Sequence, residues 1–219
     1  MRNTRKFSAP EPSMRRLPAY LHVLMRLLKE NCLFVSCTFI AQEMHLDPTQ
    51  VRKDLALTGI VGKPRVGYSV VELIEKIKAF LGWDIQWNAF LVGVGNLGTA
   101  ILGYRQFRTF GLNIVAAFDK DPRRIGKKVF GVNVFSVEKV SLFAREQKID
   151  IGIITVGEEA AQEVADLLVE GLIKGIWNFA PKALVVPPDV IVENAQLSVS
   201  LGVLTSKMKL SEKEGNIFR

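Results

Sequence analysis

The sequence predicts an α/β chain in two parts, a small helical part ending in a hairpin and then a larger part built on a parallel sheet. Three observations carry this. Apolar residues recur at three- and four-residue spacing from Leu17, the mark of amphipathic helices. From Asn88 the pattern changes to short apolar strands alternating with helices, the signature of βαβ units. The chain has 219 residues and 48% hydrophobic content, room for two cores when domains most often run about 100–150 residues.

Leu17, Tyr20, Leu21, Leu24, Leu27 and Leu28 define a first helix, with Pro18 placed in its first turn, running to about Asn31. Ser36 can cap a short second helix carrying Phe39, Ile40 and Met44. Asp47-Pro48-Thr49-Gln50 announces a third: an N-cap, a proline at the first helical position and a glutamine that closes a capping box. Gly59 ends it. Val51 and Leu55 then face a core while Gln50, Arg52 and Lys53 project elsewhere. Such a helix suits a major groove. Arginine can donate twice to guanine and glutamine can pair with adenine, while Lys53 and the helix N-terminus at Thr49 serve phosphates.

Ile60-Val61-Gly62-Lys63-Pro64-Arg65-Val66-Gly67-Tyr68 reads as two short extended runs around a Gly/Pro turn, a hairpin wing with Lys63 and Arg65 at its tip. An arginine there can enter the minor groove, where phosphates focus negative potential. Three helices and a basic hairpin together make a winged helix-turn-helix. Ser69-Val70-Val71-Glu72 is a second capping box, opening a connecting helix with Leu73, Ile74, Ile77, Phe80 and Leu81 that stops at Gly82.

Ala89-Phe90-Leu91-Val92 runs directly into Gly93-Val94-Gly95-Asn96-Leu97-Gly98, and a helical segment with Ile101, Leu102 and Phe107 follows. This is the spacing of the dinucleotide fingerprint. Its first glycine makes the tight turn, the second lets backbone approach a pyrophosphate and the third permits close helix packing. The next strand, Ile114-Val115-Ala116-Ala117-Phe118, ends in Asp119, 21 residues after the last glycine. A carboxylate there can accept both ribose hydroxyls and repel a 2′-phosphate, favouring NAD over NADP; Lys120, Arg123 and Arg124 pull the other way. Strands over 149–155 and 175–179, with an edge strand over 191–193, complete a Rossmann-type parallel sheet. The loop Thr155-Val156-Gly157 leaves a strand's carboxyl end, where ligands of open α/β sheets bind. A terminal helix places Leu197, Leu201, Leu204 and Met208 on one side, a stripe for its own domain or a partner subunit.

Charge is uneven along the chain. Residues 1–80 hold 13 Lys and Arg against 7 Asp and Glu, whereas residues 81–219 hold 16 against 15. A localised basic excess gains free energy on a polyanion through counterion release, which fits nucleic acid as well as it fits a solvated basic face. Cys32 and Cys37 match no metal-ligand spacing, no apolar run reaches the roughly 20 residues of a membrane span, and residues 1–12 lack the apolar core of a signal peptide. A cytoplasmic protein without a metal is expected. His22 and His45 both fall in the helix-turn-helix, so the second part lacks an evident acid-base partner for hydride transfer. Binding without turnover is favoured over the alternatives: an NAD-dependent oxidoreductase with a basic N-terminal extension, or a CoA- or NADP-sensing DNA-binding regulator.

The string Gln50-Val51-Arg52-Lys53-Asp54-Leu55, the wing ending Val66-Gly67-Tyr68, the loop 93–98, Phe118-Asp119 before Asp121-Pro122, and Ile176-Trp177-Asn178-Phe179-Ala180-Pro181 together resemble the Rex family of redox-sensing transcriptional repressors. The resemblance spans 17–210 in order. It implies a homodimer on palindromic operator DNA, released by NADH, with the terminal helix exchanged between subunits and Tyr104 contributing to redox sensing. Residues implied for NAD(H) are Gly93, Gly95, Asn96, Leu97, Gly98, Asp119 and Lys120, with Thr155, Val156, Gly157, Asn178, Phe179, Ala180 and Pro181 from the later loops. For DNA they are Thr49, Gln50, Arg52, Lys53, Lys63 and Arg65. The division expected is a disordered basic tail over 1–16, a winged helix with connecting helix over 17–82, a Rossmann domain over 83–196 and a dimerisation helix and tail over 197–219. Three positions depart from the family pattern: His22 where several members have Arg, Gln196 where they have Asp, and Arg65 where others place Gly. An ion pair between the first two positions cannot form here.

Overall fold

The computed structural model describes residues 9–195 and 197–217. They form two compact units, one running to Gln86 and taking in Thr109–Gly111, the other made of Trp87–Arg108 and the chain from Leu112 on.

In the first unit α1 (Glu11–Lys29) buries Leu17, Tyr20, Leu21 and Leu24 completely. It begins earlier than its apolar pattern suggested. Residues 11–16 are helix rather than tail and Pro18 lies inside, because Pro12 and Glu11 supply the first turn and Ser13 is already buried. Pro18 forfeits one backbone bond to the preceding turn, and the apolar face on either side holds the helix together regardless. The short strand β1 (Phe34–Val35) precedes α2 (Cys37–Met44), whose cap Ser36 accepts from the Phe39 N–H at 3.0 Å. In α3 (Pro48–Ala56) the cap Asp47 accepts from the Thr49 and Gln50 N–H groups at 2.7 and 3.2 Å. The capping box stays half made, since the Gln50 side chain turns instead to Asp54.

The wing also differs from the expected hairpin. Strand β2 (Tyr68–Ser69) pairs antiparallel with β1, not with 60–62, and the tip is a tight loop closed by reciprocal bonds between Lys63 and Gly67 at 2.8 and 2.9 Å. Gly67 has φ +97°, and a Cβ there would meet the Val35 carbonyl oxygen at 2.4 Å, so the close approach of loop to strand requires glycine. Arg65 has φ +63°, in the left-handed region that favours glycine. Helix α4 (Val70–Leu81), capped by Ser69 and closed by Gly82 at φ +69°, buries Val70, Leu73, Ile74 and Ile77 against α1 and its neighbours.

The second unit is a seven-stranded sheet. In chain order its elements are β3 (Trp87–Val92), α5 (Asn96–Gly103), β4 (Leu112–Asp119), β5 (Lys128–Val129), β6 (Val132–Ser136), α6 (Val140–Gln147), β7 (Ile151–Ile154), α7 (Glu158–Glu170), β8 (Gly175–Asn178) and β9 (Ile191–Asn194). The order across the sheet is β5-β6-β4-β3-β7-β8-β9, parallel except for the β5–β6 hairpin. Because side chains alternate along a strand, β3 sends Phe90 and Val92 into one core with Ala161, Val164 and Leu168 of α7, and Ala89 and Leu91 into another with Ile101 of α5. The helix after the glycine loop is shorter than expected: it stops at Gly103, and Phe107 lies on a separate 3-10 turn over Arg105–Phe110.

The terminal helix α8 (Leu197–Ile217) leaves the side chains of 198–211 exposed, among them Leu201, Leu204 and Met208. His22 is exposed on α1, while Gln196 lies outside the described residues. Among the described residues no helix is long and apolar enough to cross a membrane, and no group of His, Cys, Asp and Glu is placed to hold a metal ion.

Candidate cofactor site and nucleic-acid interface

At the carboxyl end of β3 the three glycines do separate jobs. Gly93 turns at φ +103° with a Cβ position 2.8 Å from the Thr155 carbonyl, and a Cβ on Gly98 would meet the Gly93 oxygen at 2.0 Å, so neither admits a side chain. Gly95 is different. Its Cβ position meets nothing nearer than Arg124 Nη1 at 3.9 Å, and it opens onto a cavity of about 410 Å³. Thr155 Oγ1 donates to the Gly93 carbonyl at 2.7 Å, tying the β7 loop to the glycine loop.

Asp119 ends β4 buried at the same cavity. Its Oδ2 accepts from the Val94 N–H at 2.7 Å and from Arg124 Nη1 at 3.1 Å, and its Oδ1 accepts from the Asp121 N–H at 2.9 Å. The carboxylate thus fixes the glycine loop and retains room for a further donor, since it offers about four acceptor sites. The side-chain and backbone bonds of Arg123 hold the neighbouring Asp121 down at about 2.

Of the residues expected at a cofactor, Gly93, Gly95, Asp119, Lys120, Thr155, Val156 and Gly157 line this one cavity. Asn96 and Leu97 stand exposed in the first turn of α5, beside it but outside its wall. The 178–181 loop does not reach the wall either. Asn178 is fully buried and its amide is consumed internally, donating to the Lys182 carbonyl at 2.9 Å and Asn194 Oδ1 at 2.8 Å and accepting from the Ala180 N–H at 3.0 Å. Ala180 is buried, Pro181 is exposed, and Phe179 packs against Trp177 in a tilted arrangement with ring centroids 4.8 Å apart. Trp177 continues through Phe107 at 5.5 Å to Tyr104 at 4.7 Å. Tyr104, bonded through its hydroxyl to Gln106, lines a second cavity of about 370 Å³ together with Arg105 and Arg108. The reading of the sequence missed Glu159 and Glu163 on the first cavity's wall; their one-turn spacing just after the Gly157 cap was the available signal.

In the first unit Arg52 of α3 and Lys63 and Arg65 of the wing line one open concavity of about 460 Å³ with Thr38 and Pro64. Thr49, Arg52 and Lys53 are exposed along α3, and Lys63 Nζ stands 5.9 Å over the Phe34 ring. Gln50 is half-buried, donating from Nε2 to Asp54 Oδ1 at 2.8 Å. Asp54 also takes Arg16 Nε at 2.6 Å, Arg16 Nη2 at 2.8 Å and the Tyr20 hydroxyl at 2.6 Å. Burial raises its pKa, but the bonds from Arg16, Tyr20 and Gln50 outweigh burial and hold it at about 2. Burial and the Asp54 bond raise the Tyr20 hydroxyl in turn.

A winged helix followed by a parallel-sheet domain with a glycine cradle defines a DNA-binding regulator built around a nucleotide fold. The chain matches the family described as CoA binding domain over residues 84–182 and that described as putative DNA-binding protein N-terminus over residues 8–56. It is 46% identical over 201 residues to the redox-sensing transcriptional repressor Rex of Treponema denticola, covering 90% of this chain and 96% of that one. The solved structure of RSP in complex with β-NAD⁺ and operator DNA matches with a TM-score of 0.89, 39% identity and coverage of 97% and 98% of the two chains. RSP in complex with β-NADH matches with a TM-score of 0.87, 38% identity and coverage of 97% and 100%. The chain belongs to the Rex family of redox-sensing transcriptional repressors. Family membership decides between repressor and oxidoreductase: the relatives are repressors.

Proposed function

We propose that this protein is a cytoplasmic homodimer that holds a palindromic operator while its NADH site is empty or filled by NAD⁺, and lets go when NADH binds. The observation that carries the reading is that one relative, matched over 97% of this chain, is solved both with NAD⁺ on operator DNA and with NADH. The residues at the first cavity support it. Gly95 leaves space for a pyrophosphate, the N-terminus of α5 faces that space, and Asp119 keeps acceptor capacity for one ribose hydroxyl. Asn96, Leu97 and Gly98 would complete the phosphate cradle, with Lys120 and the Thr155–Gly157 turn around it. The 178–181 loop and Tyr104 would act from outside that cavity, on the nicotinamide side.

On the DNA side, Arg52 and Gln50 read bases, and Thr49, Lys53 and Lys63 hold phosphate. Arg65 reaches toward the minor groove. The working division is a tail and winged helix through residue 82, a cofactor domain through 196 and a terminal helix that pairs subunits. Discrimination between the two forms of the cofactor follows from charge: the oxidised ring is a cation, and apolar surroundings penalise it by its desolvation. In the dimer the recognition helices must reach grooves about 34–36 Å apart, or a multiple of that, and NADH would shift them off that spacing.

The match to a CoA binding domain keeps a second reading in play, a regulator answering to CoA. Thermal shifts of the full-length protein with NADH, NAD⁺, NADPH and CoA separate the two. NADH should stabilise most, by about 2.7 kcal/mol at a hundredfold excess over its Kd. A shift with CoA or NADPH equal to that with NADH would transfer the site to that ligand.

A further inference from the structure

Asp54 stands behind the surface of α3 with all of its acceptor capacity filled. Its Oδ2 takes Arg16 Nε and the Tyr20 hydroxyl, each at 2.6 Å, and its Oδ1 takes Arg16 Nη2 and Gln50 Nε2, each at 2.8 Å. An ionised carboxylate only accepts, so the Gln50 amide has to meet it with its –NH₂ group. The flipped amide would set its own oxygen against Asp54 Oδ1. One amide hydrogen is committed to Asp54; with Asp54 taking the hydrogen anti to Oε1, as the inference requires, the syn hydrogen and Oε1 are left as a neighbouring donor and acceptor. That pair is the complement of adenine's major-groove edge, where N7 accepts and the N6 amino group donates. Guanine shows two acceptors there and would repel Oε1.

We propose that Asp54 is a positioning residue that locks the Gln50 amide in one orientation, so that α3 reads an adenine at one position of each operator half-site. The proposal rests on the reading of α3 as the helix that enters the major groove. A free glutamine can turn either end of its amide to the base; a locked one cannot, and it loses less rotamer freedom on binding. Arg16 and Tyr20 of α1 hold Asp54 in turn, so the orientation is set by the helix packed behind α3 rather than by the DNA.

The test uses full-length protein and an operator duplex that it selects from a random pool, titrated by fluorescence anisotropy. Each adenine of a half-site is replaced in turn by guanine and by 7-deazaadenine, which keeps its base pairing but lacks N7. One position should stand out, with guanine there weakening wild-type binding about 5–150-fold. Gln50→Ala should be indifferent to both replacements at that position. Asp54→Asn, whose amide can donate as well as accept, should lose the adenine preference while the salt slope and the position read by Arg52 stay as they were. Lost stability alone would not move one base preference selectively. Should Asp54→Asn not fold, Tyr20→Phe, which removes one of the bonds fixing the carboxylate, should lower the same preference by a smaller factor. Full retention of the adenine preference in the folded Asp54 or Tyr20 variant, or no position at which Gln50→Ala differs from wild type, would overturn the proposal. Arg52→Ala distinguishes the two levels: if it too leaves operator and scrambled DNA equally discriminated, the groove reading of α3 has failed, not merely the role of Asp54.

Discussion

Asp54 ties acid stability to a single carboxylate. Its pKa in the folded protein lies at about 2, below the ordinary 3.8, so its contribution is fully present above pH 4 and is lost as pH falls toward 2. Asp54→Asn leaves Arg16 without its counter-charge and should cost about 3 kcal/mol at neutral pH, the lower end for breaking a buried pair because Arg16 is partly exposed. Urea melts of both proteins should show this gap closing between pH 4 and pH 2, and a gap constant with pH would contradict the assignment. None of this was legible beforehand. In sequence Asp54 is one more charge on a helix, and its burial depends on α1 crossing behind α3, a contact between residues 38 positions apart. The glycine loop, in contrast, was readable to the residue. Backbone conformation and close approach are demands that only glycine meets, so they leave a mark in the sequence itself.

At the scale of elements, the terminal helix makes the sharpest prediction. Val199, Leu201, Val203, Leu204, Met208 and Leu210 are all more than half exposed, and burying a side chain of this kind is worth roughly 1.5–3 kcal/mol. If a second copy of the chain covers them, truncation before Leu197 should yield monomers or aggregates in sedimentation and abolish the NADH response. A truncated protein that stays dimeric and still responds would refute this role for α8. Periodicity and caps located the long helices well, because each is fixed by its own residues: Ser36, Asp47 and Ser69 all cap as their positions suggested. The pairing of the wing was not so fixed. Tyr68 finds its partner at Phe34–Val35, across two helices of chain, and the two-residue strand there leaves no alternation to read. The β5–β6 hairpin was missed for the same reason, since β5 has two residues and borders an exposed turn at Phe130 and Gly131. Pro18 misled in the other direction, because burial of α1 outweighs one missing backbone bond.

At the scale of the whole molecule, reduced cofactor and operator DNA are expected to oppose each other's binding. Such opposition is a coupling free energy and must be reciprocal: if NADH weakens operator affinity by some factor, operator weakens NADH affinity by the same factor. Composition hinted at both partners, through the basic first third and the glycine loop, but no residue pattern encodes the coupling itself, which belongs to the whole molecule in two bound states. The direct measurement is an anisotropy titration of operator duplex with full-length protein at fixed salt, without nucleotide, with saturating NAD⁺ and with saturating NADH. A Gly95→Val variant serves as control. A Cβ there meets no protein atom closer than 3.9 Å, so the fold should be spared while the branched side chain fills the space for a pyrophosphate. NADH is expected to lower operator affinity about 5–150-fold, with NAD⁺ leaving it largely unchanged and Gly95→Val unresponsive to both. Equal release by NAD⁺ and NADH, or an operator affinity that NADH does not alter, would contradict this coupling.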